Sequence, residues 1–223
     1  MSKTHLNKRC VIFDMDGLLV NSEIIYHDAW YTSFAHFDID VPNDLVRSWV
    51  GQSAKNVQST IVDLCGSDER AKEVRAYRET IFLDLLVSDQ VQLKPYARDI
   101  LDYCKERFDA VGLGSSAPNV RGYKMLEHFE IGKYFDHILF AQDVKHNKPH
   151  PEVYLKHLDF HQVDADEALV IEDSIVGARA ANNAGIGVVL VPDNEFPKSS
   201  EPRPDNVLLE AGNLNEVIKW MKD

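Results

Sequence analysis

Apolar positions along the chain follow two rhythms. Between residues 22 and 89 they recur at helical spacing. Ile25, Ala29, Trp30, Phe34 and Phe37 share one face of a segment over 24–37, and the stretch 38–42 breaks it. The spacing predicts a short helix over 44–50 ending at Gly51 and another over 53–64. A longer one is predicted over 67–86, opening on the capping run Ser67-Asp68-Glu69. No run in this region reads as a strand. Elsewhere, short apolar runs stop abruptly on polar residues: Cys10 to Phe13, Ala110 to Gly114, 138–140, 168–171 and 188–191. Runs of that length bounded by turn residues read as buried strands.

Helical stretches alternate with those strands, over 94–106, 115–129, 151–158, 174–184 and 214–221; Gly185 stands where a helix C′ glycine is expected. A loop rich in Pro and Ser occupies 196–204. Alternation of this kind predicts an α/β fold with a parallel sheet. The expected division is an α/β core, 1–20 and 91–223, carrying an inserted all-helical unit, 21–90. Gly51 and Gln52 are the expected hinge within that insert. Parallel sheets bind ligands at the C-terminal ends of their strands, so the residues at those ends matter most.

The first strand ends in Asp14-Met15-Asp16-Gly17. Residues i and i+2 of an extended chain point the same way, so two carboxylates stand close together. Their repulsion is relieved by a divalent cation, or by one carboxyl holding a proton while the other is ionised. A plain solvated Asp-Gly turn is the alternative. The second strand ends in Ser115-Ser116 before a helix with Pro118 in its first turn, an arrangement that suits either phosphate binding or ordinary Ser capping. The same stretch, Gly112 to Ala117, fits G-x-G-x-x-A. A dinucleotide site is disfavoured, because the motif lies mid-chain and no acidic residue ends a following strand at the right distance. Lys148 stands between a loop and a helix opening on Pro151, and Pro149 keeps it out of α backbone, so its ammonium is directed for phosphate. A solvated loop lysine is the bland alternative. The strand over 168–171 runs into Glu172-Asp173, an acidic pair suited either to a metal shared with Asp14 and Asp16 or to compensating a helix dipole.

Composition narrows the partners. With 24 Lys+Arg against 36 Asp+Glu, the formal net charge is −12, which argues against nucleic acid or an anionic membrane as partner. Any phosphate ligand then needs local positive charge. Cys10, Cys65 and Cys104 are scattered and odd in number, which predicts no disulfide framework, a reducing compartment and a cytoplasmic protein. No stretch approaches the roughly 20 apolar residues of a membrane span.

Each strand-end signal alone is modest. Together, Asp14-Met15-Asp16-Gly17, Ser115, Lys148-Pro149-His150-Pro151 and Glu172-Asp173-Ser174 resemble the haloacid dehalogenase superfamily, and within it the phosphatase and β-phosphoglucomutase branch. Asn21 and Asn147 depart from that branch's usual residues without touching the chemistry. The resemblance implies a three-layer Rossmann-like core with a helical cap. It implies Mg²⁺ held by Asp14, the Asp16 main-chain carbonyl and Asp173, with Glu172 nearby or liganding. It assigns Asp14 as nucleophile, Asp16 as general acid and base, and Ser115 and Lys148 as the clamp on the phosphoryl group, with Ser116 and Asn119 close by. The expected activity is hydrolysis of a small phosphorylated metabolite by a monomer that engages neither nucleic acid nor membrane. A phosphosugar mutase is the alternative. It is disfavoured because Tyr26 stands at that branch's histidine position, with His27 one residue late, and Ala54 where its hinge arginine would be. A non-catalytic phosphate sensor is disfavoured because every chemical position is filled. Arg75 and Arg78, three apart on one helix, could reach the far end of a substrate or could simply belong to a solvated, charge-alternating face.

Overall fold

The computed structural model describes residues 7–49, 54–193 and 201–223. Gly51, Gln52 and most of the loop over 196–204 lie outside the described residues. The chain forms two compact units, Met1–Asn21 with Leu93–Asp223, and Ser22–Gln92.

The first unit is built on six parallel strands: β1 Cys10–Phe13, β2 Ala110–Gly114, β3 His137–Leu139, β4 Ala168–Glu172, β5 Gly187–Leu190 and β6 Val207–Glu210. Their order across the sheet is β3-β2-β1-β4-β5-β6. β1 is central, paired in register with β2 (Phe13 opposite Leu113) and β4 (Phe13 opposite Ile171). All four β1 residues are buried, as a parallel strand covered on both faces requires. Helices α4 Ala97–Arg107, α5 Asn119–His128, α6 Glu152–His161, α7 Ile175–Asn183 and α8 Leu214–Lys222 accompany the strands. α6 packs on β1, β2 and β3 and against α7, while α4 packs on β2 and against α8. Strand parity sends Cys10, Ile12, Val170 and Val188 into one core with Tyr154, Ala178 and Ala181. The small residues of α7 are therefore the ones that let it lie close to the sheet.

The second unit holds α1 Glu23–His36, α2 Ala54–Cys65 and α3 Asp68–Leu85. Its core gathers Trp30, Phe34, Trp49, Ile61 and Val74. Arg78 lies inside this unit, over the rings of Tyr26 and Trp30 at 5.2 and 4.9 Å, and pairs with Glu79 at 2.8 Å. It is therefore no part of a solvated face.

Several boundaries differ from the sequence reading. The short helix expected over 44–50 is a turn followed by a 3-10 turn, Arg47–Trp49. α5 begins at Asn119 with Pro118 as its N-cap, so Ser115 sits in a loop before the helix and not at its start. β6 was not anticipated. It is an edge strand whose residues alternate between half-buried and exposed, and a one-residue shift interrupts its pairing with β5. The three cysteines are free thiols, all buried. Among the described residues, no helix is long and apolar enough to cross a membrane.

Candidate active site

The strand order reverses its direction of connection between β1 and β4, where crevices form in open parallel sheets. The chain after β1 holds Asp14, whose N–H donates to the Ile171 carbonyl at 3.0 Å. A tight turn follows: Gly17 N–H donates to Val20 O, and Leu19 and Val20 N–H both donate to Met15 O. Gly17 has φ +80°, backbone that favours glycine. A Cβ there would stand 2.3 Å from Asp173 Oδ2, so the missing side chain is the space Asp173 occupies.

Lys148 reaches this place from the loop after β3. Its Nζ donates to Asp14 Oδ1 at 2.6 Å and to Glu172 Oε1 at 2.7 Å, with only 5% of the side chain exposed. The loop is held by Glu152, at the start of α6, whose two oxygens accept the N–H groups of Lys145 (2.8 Å) and His146 (3.0 Å). Asn183 Nδ2 donates to the Pro149 carbonyl at 3.1 Å. Lys148 is thus a fixed cation and not a solvated loop lysine.

Glu172 is the anchor for that cation. Its Oε1 also accepts from the Tyr154 hydroxyl at 3.2 Å, and its Oε2 accepts from Ser174 N–H and Oγ at 3.0 and 2.9 Å. Ser174 caps α7 by accepting from Gly177 N–H at 3.0 Å. A Cβ on Gly177 would overlap Glu172 Oε1 at 1.6 Å, so the glycine admits the carboxylate against the helix. Both Glu172 oxygens are engaged by protein donors.

Electrostatics separates the carboxylates. Burial pushes the Asp14 carboxyl up to about 7, against the pull of Lys148. Burial would raise Glu172 too, but Lys148 and Ser174 hold it below the usual carboxylate range. Burial would lower Lys148, and the two carboxylates instead hold it well above its ordinary value. One oxygen each from Asp14, Glu172 and Asp173 lie within 4.8 Å of one another. With all three ionised, they and Lys148 carry a net formal charge of −2 among hard oxygen donors; burial and that charge are why Asp14 holds its proton readily when no further cation is there. That charge and donor set fit a divalent cation such as Mg²⁺.

The remaining residues fall nearby with different partners. Ser115 is buried; its Oγ accepts from Ala117 N–H at 3.0 Å and donates to Asp16 Oδ2 at 3.3 Å. Ser116 is exposed. Asn119 uses its side chain on the 140s loop: Oδ1 accepts from Gln142 N–H at 3.3 Å and Nδ2 lies 3.5 Å from Asp143 Oδ1. Glu152 and Tyr154 carry the positioning of Lys148 and Glu172, yet sequence reasoning assigned them no role. Both read as ordinary helix residues until their partners, distant in sequence, are in place.

The descriptive model of haloacid dehalogenase-like hydrolases matches residues 11–191, the span from β1 through β5 that carries all these groups. The chain belongs to the haloacid dehalogenase-like hydrolases. Among its relatives in that family, a phosphorylated carbohydrates phosphatase of Thermotoga maritima is 31% identical over 180 residues, covering 79% of this chain and 81% of that protein. Hexitol phosphatase B of Escherichia coli O157:H7 is 30% identical over 213 residues, covering 92% of each chain. A haloacid dehalogenase-like family hydrolase of known structure from Streptococcus pneumoniae has the same fold, with a TM-score of 0.78 and 21% identity over 96% of this chain and 98% of that one.

Proposed function

We propose that this haloacid dehalogenase-like hydrolase is a phosphatase that cleaves a small phosphorylated metabolite of the sugar-phosphate class through an aspartyl-phosphate. The observation that carries the reading is the pair Asp14 and Asp16 at one strand end, with Lys148 fixed 2.6 Å from Asp14. An ionised Asp14 oxygen attacks phosphorus as the ester P–O bond breaks, and Asp16 protonates the departing oxygen. Water then attacks the phosphorus of the acyl phosphate while Asp16 takes its proton. Inorganic phosphate leaves and the Asp14 carboxylate is restored. Lys148, fixed by Glu172, and Ser115 hold the phosphoryl oxygens and offset their charge; Ser116 lies next to Ser115 in the chain.

Asp14, the Asp16 carbonyl and Asp173 would hold Mg²⁺, with Glu172 behind them; when bound, the ion supplies positive charge at the phosphoryl group and favours the ionised form of Asp14. The helical unit is the part of the chain that would cap the site and select the substrate. Two relatives are named for phosphorylated carbohydrates and for hexitols, which supports the substrate class. Within its unit, Tyr26 packs edge-on against Trp30 and Phe82 and His27 is buried, so neither supports the second-phosphate contact a mutase needs.

A panel of phosphorylated sugars, polyols and small acids, incubated with Mg²⁺, tests the proposal if released phosphate and isomerised sugar phosphate are measured separately. Mg²⁺-dependent phosphate release from at least one sugar or polyol phosphate is expected. Isomerisation of β-glucose 1-phosphate to glucose 6-phosphate without phosphate release would replace the hydrolase reading with a mutase.

A further inference from the structure

A second cluster of ligating side chains lies apart from the strand-end carboxylates, at the sheet's edge strand. His137 opens β3, and His157 and His161 lie four residues apart on α6. Residues four apart share a helix face, so both rings project toward the same strand. One ring nitrogen of each histidine lies within 4.8 Å of the other two.

His157 is fully buried, and its position is enforced from two sides. Its Nε2 lies 3.0 Å from the Leu113 carbonyl, an acceptor only, so Nε2 carries the proton and Nδ1 carries the lone pair. Its ring fills the space beside Gly112, where a Cβ would come within 2.7 Å of Nδ1. A Cβ on Gly114 would approach Nε2 at 3.5 Å. Gly112, the first glycine of the G-x-G stretch, thus makes room for an imidazole, while Gly114 makes room chiefly for Val153 Cγ2, 3.0 Å from where its Cβ would stand. A backbone carbonyl on the far nitrogen is how metal-binding histidines are commonly oriented.

His137 Nδ1 lies 3.2 Å from the His157 Nδ1 lone pair, so in the metal-free protein His137 Nδ1–H donates to it, and an ion bound there takes the place of that proton while His137 shifts to its other tautomer. Two nitrogens on one tetrahedral ion with Zn–N near 2.0–2.1 Å stand about 3.3–3.4 Å apart. The other face of His137 is covered by Phe160, stacked at 3.9 Å and 10°. His161 is half-buried, and its Nε2 is buried without a hydrogen-bond partner among the described residues. Burial holds all three rings below the ordinary histidine value, His157 down to about 3, so each is neutral and keeps one lone pair at neutral pH.

We propose that His137, His157 and His161 form a second metal site, for a borderline divalent transition ion of the Zn²⁺ kind. Three imidazoles with no carboxylate among them select such an ion over Mg²⁺, which takes hard oxygen donors. Water completes the coordination from the half-buried side. The ion ties edge strand β3 to α6, the helix that carries Glu152 and Tyr154.

The test uses the whole protein, stripped with EDTA and transferred into excess Mg²⁺ so that the carboxylate site is not available to the probe. Zn²⁺ is then titrated by calorimetry, and Co²⁺ by visible absorption. The wild-type protein should take up one equivalent of Zn²⁺ with a rise in Tm, and Co²⁺ should give the bands of a nitrogen-ligated, low-symmetry ion. His161→Gln and His137→Gln, both at half-buried positions, should each weaken Zn²⁺ binding by at least about ten-fold and abolish the Tm rise. Circular dichroism identifies which variants are folded, and either folded variant decides the matter. Absence of Zn²⁺ uptake by the wild-type protein, or unchanged affinity in a folded variant, overturns the proposal.

Discussion

Asp173 sits where a side chain at Gly17 would be: a Cβ built on Gly17 stands 2.3 Å from Asp173 Oδ2. The turn after β1 and the end of β4 are therefore fitted to one another through an absent side chain. Gly17→Ala meets two penalties, the φ of +80° and this overlap. It should cost about 1–3 kcal/mol of stability, read by urea denaturation. It should also raise the Mg²⁺ concentration needed for half-maximal phosphate release, because Asp173 has to move.

Lys148 is shared by Asp14 and Glu172 in a buried setting. Lys148→Met leaves both carboxylates without their cation, and breaking a buried pair in this way costs about 3–5 kcal/mol. Lys148→Met combined with Glu172→Gln should recover part of that stability and none of the phosphatase activity. A double variant no more stable than the single one would remove Glu172 as the anchor.

His157 ties stability to pH. Burial holds its folded pKa at about 3, below the ordinary histidine value. The unfolded chain therefore binds the extra proton first. The stability this contributes is complete above the unfolded pKa near 6.5 and is lost as pH falls from there toward 3. In EDTA, the Tm of the wild-type protein should fall between pH 7.5 and pH 5 (about the range in which histidine titrates), and His157→Gln should flatten that slope.

In the proposed mechanism Asp16 has a different duty from Asp14, and leaving-group chemistry separates the two roles. Asp16→Asn should lower turnover of alkyl phosphates by about 10²–10⁴-fold. The loss should be much smaller for aryl phosphates, whose leaving groups hardly need a proton. Equal losses on both classes would remove Asp16 as the general acid.

Much of this was legible in the sequence, and the limits have physical causes. β1, β2 and β4 are buried on both faces, so their apolar runs are uninterrupted and end sharply at Asp14, Ser115 and Glu172. β6 escaped because an edge strand such as Val207–Glu210 is only half-buried and lacks that contrast. Ser115 resembles a helix cap in sequence, but Pro118 takes that position and the Ser115 hydroxyl turns back to Ala117 N–H. Glu152 and Tyr154 could not be read as positioning residues, since one clamps a loop and the other meets a carboxylate on a different strand. His157 and His161 share a helix face by their spacing, but His137, 20 and 24 positions earlier on a strand, joins them only in the fold.

Asp14 is the residue expected to carry the phosphoryl group during turnover. Enzyme mixed with a turned-over sugar phosphate and Mg²⁺, quenched in acid within one turnover and digested, should yield the peptide containing Asp14 carrying one phosphoryl group. The adduct should be absent from Asp14→Asn, which should also release no phosphate. A phosphoryl group found on any other residue, or Asp14→Asn turning over at the wild-type rate, would rule out Asp14 as the nucleophile.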